Sequence, residues 1–124
     1  MTLDAMLLRR VVELLPRFSY RFADEIGLHE GIEHVLTGAG IAFDREYVAG
    51  PQDRFDFLIP SGIVVEAKIK GSLPQALRQI ARYAARDDVA AVVLVTTRFW
   101  GAGSLPSAIH GKPVHLVKLR GGAF

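Results

Sequence analysis

The sequence predicts an α/β fold, a mixed central β-sheet with helices packed on it. Three observations carry that expectation. Two stretches within the first forty residues repeat their apolar side chains at helical spacing. The middle of the chain then switches to strict alternation, in two runs joined by a tight turn. A third helical pattern follows, and after it an almost continuous apolar run, the mark of a strand covered on both faces. The implied order is α-α-β-β-β-α-β-(α)-β, which is not the alternation of a dinucleotide-binding βαβαβ fold.

Residues 2–15 read as a helix through Leu3, Met6, Leu7, Val11, Leu14 and Leu15, with Pro16 as the stop. A second helix opens near Asp24, buries Leu28, Ile32, Val35 and Leu36, and ends at Gly38 and Gly40. Ile41, Phe43 and Arg45 through Val48 have strand character, and Gly50-Pro51-Gln52-Asp53 makes a turn. Residues 54–59 and 63–70 alternate on either side of Pro60-Ser61-Gly62, so they predict a hairpin. A helix over 73–86 begins with a capping box, Ser72 and Gln75, and buries Leu77, Ile80, Ala81 and Ala84. Residues 89–96 form the continuous apolar strand. A glycine-rich loop, a short helix near 104–110 and a strand at 114–119 follow.

A chain of 124 residues has the common size of a single domain, with an N-terminal helix in 1–20, a central core in 24–97 and a closing segment in 98–124. Half of the residues are hydrophobic and 23% are charged, which predicts a packed globular protein and excludes a disordered one. The absence of cysteine excludes disulfides, thiolate zinc sites and cysteine nucleophiles, and it suits a cytoplasmic location. No apolar run approaches the ~20 residues of a membrane span. The first fifteen residues carry Asp4, Arg9, Arg10 and Glu13 without a signal-peptide cleavage pattern, so the expectation is a soluble, unprocessed protein with no membrane partner. A net charge of +2 permits a phosphate-bearing partner without demanding one. The first helix has more apolar surface than a lone covering helix needs, which a homodimer contact or intramolecular packing would explain.

Some chemistries find no support. His29, His34, His110 and His115 lack ligand-like spacing, and neither a phosphate-binding G-x-x-x-x-G-K-[ST] loop nor a G-x-S-x-G elbow is present. Phe99 and Trp100 suit either stacking against a nucleobase or lidding the edge of the core, and the second is the commoner use.

The hairpin carries the candidate chemistry. Side chains two apart on a strand share a face, so Glu66 and Lys68 point together while Val65, Ala67 and Ile69 point into the core. On the preceding strand Phe55, Phe57 and Ile59 form the core set, leaving Asp56 on the other face. If Pro60-Ser61-Gly62 is a three-residue loop with Gly62 in the left-handed region, Asp56 lies directly across from Glu66, with Cβ atoms roughly 5 Å apart. A two-residue Ser61-Gly62 turn would place the carboxylates on opposite faces. Two carboxylates that close repel unless a cation lies between them, and with a lysine beside them a hard divalent ion, Mg²⁺ or Mn²⁺, is the simplest solution. The plain alternative is a solvated face with a weak Glu66–Lys68 ion pair.

Asp56, then nine residues, then Glu66-Ala67-Lys68, on a hairpin after a helix and a strand, resembles the PD-(D/E)XK nuclease superfamily of junction resolvases, restriction endonucleases and RecB-like exonucleases. The resemblance covers roughly residues 24–97 and implies a restriction-endonuclease-like core, α-β-β-β-α-β. Its implied roles are metal ligation by Asp56 and Glu66, a further metal contact from the Ala67 carbonyl, and water activation by Lys68. Gln79-Ile80-Ala81-Arg82-Tyr83 resembles the Q-x-x-x-Y motif of the exonuclease branches, which implies supporting roles for Gln79 and Tyr83; the two share a helical column outside the buried stripe, with Tyr83 expected to contact nucleic acid. Arg78, Arg82 and Arg86 form a neighbouring column able to follow a phosphate backbone, or simply a solvated basic face. Phe55 stands where many members have proline. The acid usually supplied by the first core helix is ambiguous: Glu25 shares the face of Leu28 and Ile32, whereas Glu30 and Glu33 point away, so Glu25 is the choice. The expectation is a Mg²⁺-dependent DNA endonuclease directed by DNA structure, as in Holliday-junction resolution, recombination, repair or phage DNA processing. The rivals are an exonuclease of the same kind and a non-catalytic nucleic-acid-binding module.

Overall fold

The computed structural model describes residues 2–100 and 105–122. The first helix, α1 (Ala5–Leu14), starts where Asp4 caps it by accepting the Leu7 N–H at 3.0 Å, and Leu15–Arg17 tighten into a 3-10 turn at Pro16. That start sets which face is buried. Leu8, Val11 and Leu15 enter the core, and Met6, expected there, is 84% exposed. Leu3, Leu7, Val12 and Leu14 pack at the margin, so intramolecular packing accounts for most of the helix's apolar surface. Helix α2 (Glu25–Gly38) opens on Asp24, whose side chain accepts from the Gly27 N–H, and buries the expected Leu28, Ile32, Val35 and Leu36.

Six strands form the main sheet: β2 (Asp44–Val48), β3 (Arg54–Ile59), β4 (Ile63–Lys68), β5 (Ala91–Thr96), β6 (Ala108–Ile109) and β7 (Lys112–Lys118). They lie in the order β2-β3-β4-β5-β7-β6. The β2-β3-β4 meander is antiparallel, β4, β5 and β7 run parallel, and β6 returns antiparallel to β7, so the sheet is mixed as expected. Helix α3 (Leu73–Ala84) connects β4 to β5, and its capping box is made as the sequence predicts. Helices α1 and α2 cover one face over Phe57, Ile59, Val65, Val93 and Val95. Helix α3 covers the other, over Phe55, Val64, Val92, Leu94 and Val114. Strands β4 and β5 are buried on both faces, which is why their sequence is so uniformly apolar. Among the described residues no helix is long and apolar enough to cross a membrane.

Two expectations need correction. Phe55 and Phe57 do not share a face: Phe57 belongs to the α2 side and Phe55 to the α3 side. On β2, opposite the stretch between the two phenylalanines, Glu46 takes a left-handed φ of 53°. The helix expected near 104–110 is a turn leading into β6, with Ser104 and the glycines before it outside the described residues. A two-residue hairpin, with His110 and Gly111 at φ 52° and 73°, replaces helix by strand there.

A second sheet was not expected at all. β1 (Ser19–Arg21) pairs in parallel with β8 (Arg120–Gly122) and clasps the chain across its length. Between the two, Tyr20 is buried, and its hydroxyl donates to the Leu15 carbonyl at 2.7 Å. Burial pushes that phenol up to about 12. Gly31 of α2 makes room for the ring, since a Cβ there would stand 2.9 Å from Tyr20 Cδ2. Gly121 is tighter still, because a Cβ would run into the Tyr20 backbone carbonyl, which cannot move without unpairing the strands. Gly121→Ala should therefore lower unfolding stability by about 1–3 kcal/mol in urea titration, and a loss within error would show that the clasp is dispensable.

Candidate active site

The site lies where β3 and β4 part. Their ladder pairs Ile59 with Ile63, Leu58 with Val64 and Phe57 with Val65, so the connection is the three-residue one and Asp56 falls opposite Glu66. Gly62 is left-handed as that loop requires, at φ 82°, and Ser61 joins it at φ 70°. Beyond Phe57 and Val65 the backbone ladder stops, and two carboxylates take over its bonds. The Asp56 N–H donates to Glu66 Oε1 at 2.8 Å, and the Ala67 N–H donates to Asp56 Oδ2 at 2.8 Å. Each acid is thus held by the backbone of the other's strand, and both are fixed by the hairpin register itself.

Burial makes this pair electrostatically expensive. Glu66 is 2% exposed, and burial together with the charge of Asp56 pushes its carboxyl up to about 8. The Asp56 N–H and the charge of Lys68 oppose that rise, and Glu25 adds to it. Glu25 itself stands half-buried in the first turn of α2. Glu30 is exposed, and Glu33 is engaged with Arg45 at 3.0 Å.

His29 is a member of the site that sequence reasoning set aside. Its Nε2 stands 3.2 Å from Asp56 Oδ2, is buried, and makes no hydrogen bond of good geometry. Its ring meets Phe57 edge-on at 5.9 Å. The overlooked signal is its position four residues after Glu25, which puts both side chains on the flank of α2 that meets the sheet.

Lys68 ends β4 on the α3 face, half-buried and without an ion pair among the described residues. It lines a cleft of about 320 Å³ with Lys70, Arg78, Gln79 and Arg82, and no carboxylate lines that cleft. The structure therefore brings together Asp56, Glu66 and Lys68, with Gln79 across the cleft. Tyr83 does not join them at the surface. It is 1% exposed, packs on Phe55 at 4.8 Å, donates to the Arg54 carbonyl at 2.9 Å and accepts from Gln79 Nε2 at 2.9 Å. A helical wheel drawn without Phe55 cannot show that its ring is core. Tyr83 cannot contact nucleic acid and instead orients Gln79.

The arginine column also divides. Arg78 and Arg82 face the cleft, although Arg82 bonds Asp53 at 2.7 Å, and that bond holds the Asp53 carboxyl below its usual range. Arg86 is committed elsewhere: it bonds Asp53 at 3.0 Å, Asp88 at 2.9 Å and the Ala49 carbonyl at 2.6 Å, pinning the β2–β3 turn to the end of α3. It is a structural residue and not a free phosphate ligand.

The donor chemistry fits a hard divalent ion. Asp56 and Glu66 each use one oxygen on an amide, and no hydrogen bond among the described residues occupies Asp56 Oδ1 or Glu66 Oε2. No group of three His, Asp or Glu side chains among the described residues forms a closed metal cluster. Among the described residues, Asp56 Oδ1 and Glu66 Oε2 are the oxygens this pair leaves open to a cation. Comparison with family models, curated proteins and solved structures returned no match.

Proposed function

We propose that the chain is a divalent-metal-dependent nuclease of PD-(D/E)XK type that hydrolyses DNA phosphodiester bonds. One observation supports this above the others: two carboxylates locked by reciprocal bonds to each other's strands, one of them buried against its own charge, beside a lysine that opens on a cationic cleft. A buried acid whose charge is disfavoured, two residues along the strand from a lysine that lines a cleft, is a candidate functional site. The observed order α2-β2-β3-β4-α3-β5 agrees with a restriction-endonuclease-like core.

Mg²⁺ or Mn²⁺ held by Asp56, Glu66 and the Ala67 carbonyl would polarise a phosphoryl oxygen and make bound water more acidic. The chain's own residues supply the rest. Arg78 and Arg82 draw the phosphate backbone into the cleft. The Lys68 ammonium orients the attacking water and offsets charge developing on the phosphate. Gln79, fixed by Tyr83, presents its amide toward the same space. A structure-directed endonuclease in recombination, repair or phage DNA processing remains the reading, with an exonuclease as its near neighbour.

Labelled single-stranded, duplex, flap and four-way-junction DNAs incubated with Mg²⁺, Mn²⁺ or EDTA test this directly. Cutting should need the metal and vanish in Asp56→Asn, and the metal should raise the melting temperature of the parent but not of the variant. Folded protein that cuts none of the DNAs and gains no stability from either metal would leave the non-catalytic binding module as the better account.

A further inference from the structure

A second groove, of about 510 Å³, lies on the α3 face of the sheet over β5 and β7. Thr96, Arg98, Phe99, Trp100, Leu116 and Lys118 line it, and no carboxylate does. Trp100 packs against the α3-side core, as a core-edge lid should. Phe99 does not: it is 85% exposed, with Lys118 Nζ 4.8 Å from its ring centroid. A large aromatic left in water beside two exposed cations is a surface with its partner missing.

The groove lies on the same face of the sheet as the Lys68 cleft, on neighbouring strands. Lys68 pairs with Thr96, and Thr96 pairs with Lys118, so the three residues form one row across the C-terminal ends of β4, β5 and β7. Strand alternation puts all three on the α3 face, with Lys118 two strand spacings, about 10 Å, from Lys68. Lys68 lines the cationic cleft, and the other two line the groove. A strand whose phosphate sits at Lys68 would pass next over Phe99.

We propose that this groove holds an unpaired nucleotide of the strand being cut, its base stacked on Phe99 and its phosphate drawn by Arg98 and Lys118. The proposal deepens the nuclease reading and rests on it. Only an unpaired base has a face free to stack, so the preferred DNA would have single-stranded character beside the scissile bond. A volume of about 510 Å³ lies within the range of roughly 300–1,000 Å³ typical of small-ligand pockets.

Trp100 is the chain's one tryptophan, so its emission reports on this groove. The full chain would be titrated in EDTA with oligothymidylate and with a blunt duplex of equal length, beside Phe99→Ala and Lys118→Ala. The single strand should quench Trp100 and the duplex should not. Phe99→Ala, a change at an exposed position that leaves the fold alone, should weaken single-strand binding about tenfold and leave duplex binding unchanged. Lys118→Ala should reduce the salt dependence of single-strand binding by about one unit of slope. Equal quenching by both DNAs, or single-strand binding by Phe99→Ala equal to the parent's, overturns the proposal. Because the titration needs no cleavage, the two readings separate. A protein that cuts with Mn²⁺ but shows no selective quenching keeps the nuclease and loses the groove. One that quenches selectively yet never cuts keeps the groove and loses hydrolysis.

Discussion

Lys68→Ala is expected to slow metal-dependent DNA hydrolysis by roughly 10²–10⁴-fold, with the loss in kcat and little change in KM. The residue makes no ion pair among the described residues, so at about pH 6, where the Glu66 carboxyl is neutral, the melting temperature should stay near that of the parent. An effect on chemistry without an effect on stability is what separates a residue acting on the reacting water from one that merely props the cleft. Lys68→Arg adds a second test. The guanidinium keeps the charge but spreads it over a wide planar fork, so binding should survive while turnover stays low. Lys68 also holds the Glu66 carboxyl down, so in the metal-free protein Lys68→Ala should push that carboxyl higher still. Full-rate cutting by Lys68→Ala would remove the lysine from the mechanism.

Stability of the metal-free protein should fall as the pH rises, by on the order of 3–5 kcal/mol between about pH 5 and about pH 8. The sign follows from Glu66. Its carboxyl rises from 4.5 to about 8 on folding, so above 4.5 the unfolded chain releases a proton that the native state keeps. Stability is thus full below the unfolded value and drains away until the folded value is passed. Glu66→Gln keeps the acceptor for the Asp56 N–H and removes the charge. Urea unfolding in EDTA should then lose most of its pH dependence, and the variant should be the more stable protein at about pH 8. The same substitution should abolish cleavage, the pattern of a site that sacrifices stability for function. A parent whose stability is flat across this window would mean that Glu66 is solvated and ordinary.

Where the sequence was readable, local chemistry decided the outcome. Pro60-Ser61-Gly62 offered two registers, and the one that lets Gly62 turn left-handed is the one formed, which alone brings Asp56 to Glu66. Ser72 and Gln75 announced the start of α3, and the apolar run before Thr96 announced a strand covered twice. What escaped depended on contacts between distant segments. Alternation put Phe55 beside Phe57, but the two belong to core clusters on opposite faces of the sheet. Tyr83 looked exposed because its partner Phe55 lies on another element. Ser19–Arg21 and Arg120–Gly122 have three residues each, too few to show any period, and only their pairing makes them strands. His29 was invisible as a ligand type and visible only as a neighbour of Asp56.

The clasp between β1 and β8 bears on the order in which the molecule can assemble. It joins residues about a hundred apart, as Ser19 and Arg120 show, whereas the hairpin joins its two acids across ten. Loop-closure entropy favours the short connection, so the carboxylate pair belongs to the fastest contacts the chain can make and the belt around Tyr20 to the slowest. Nascent chain that has not yet delivered residue 120 already contains every element of the chemical site, but α1 and Tyr20 have no closing strand to rest on. The reactive hairpin is early and local. What keeps it shut inside one durable body comes last.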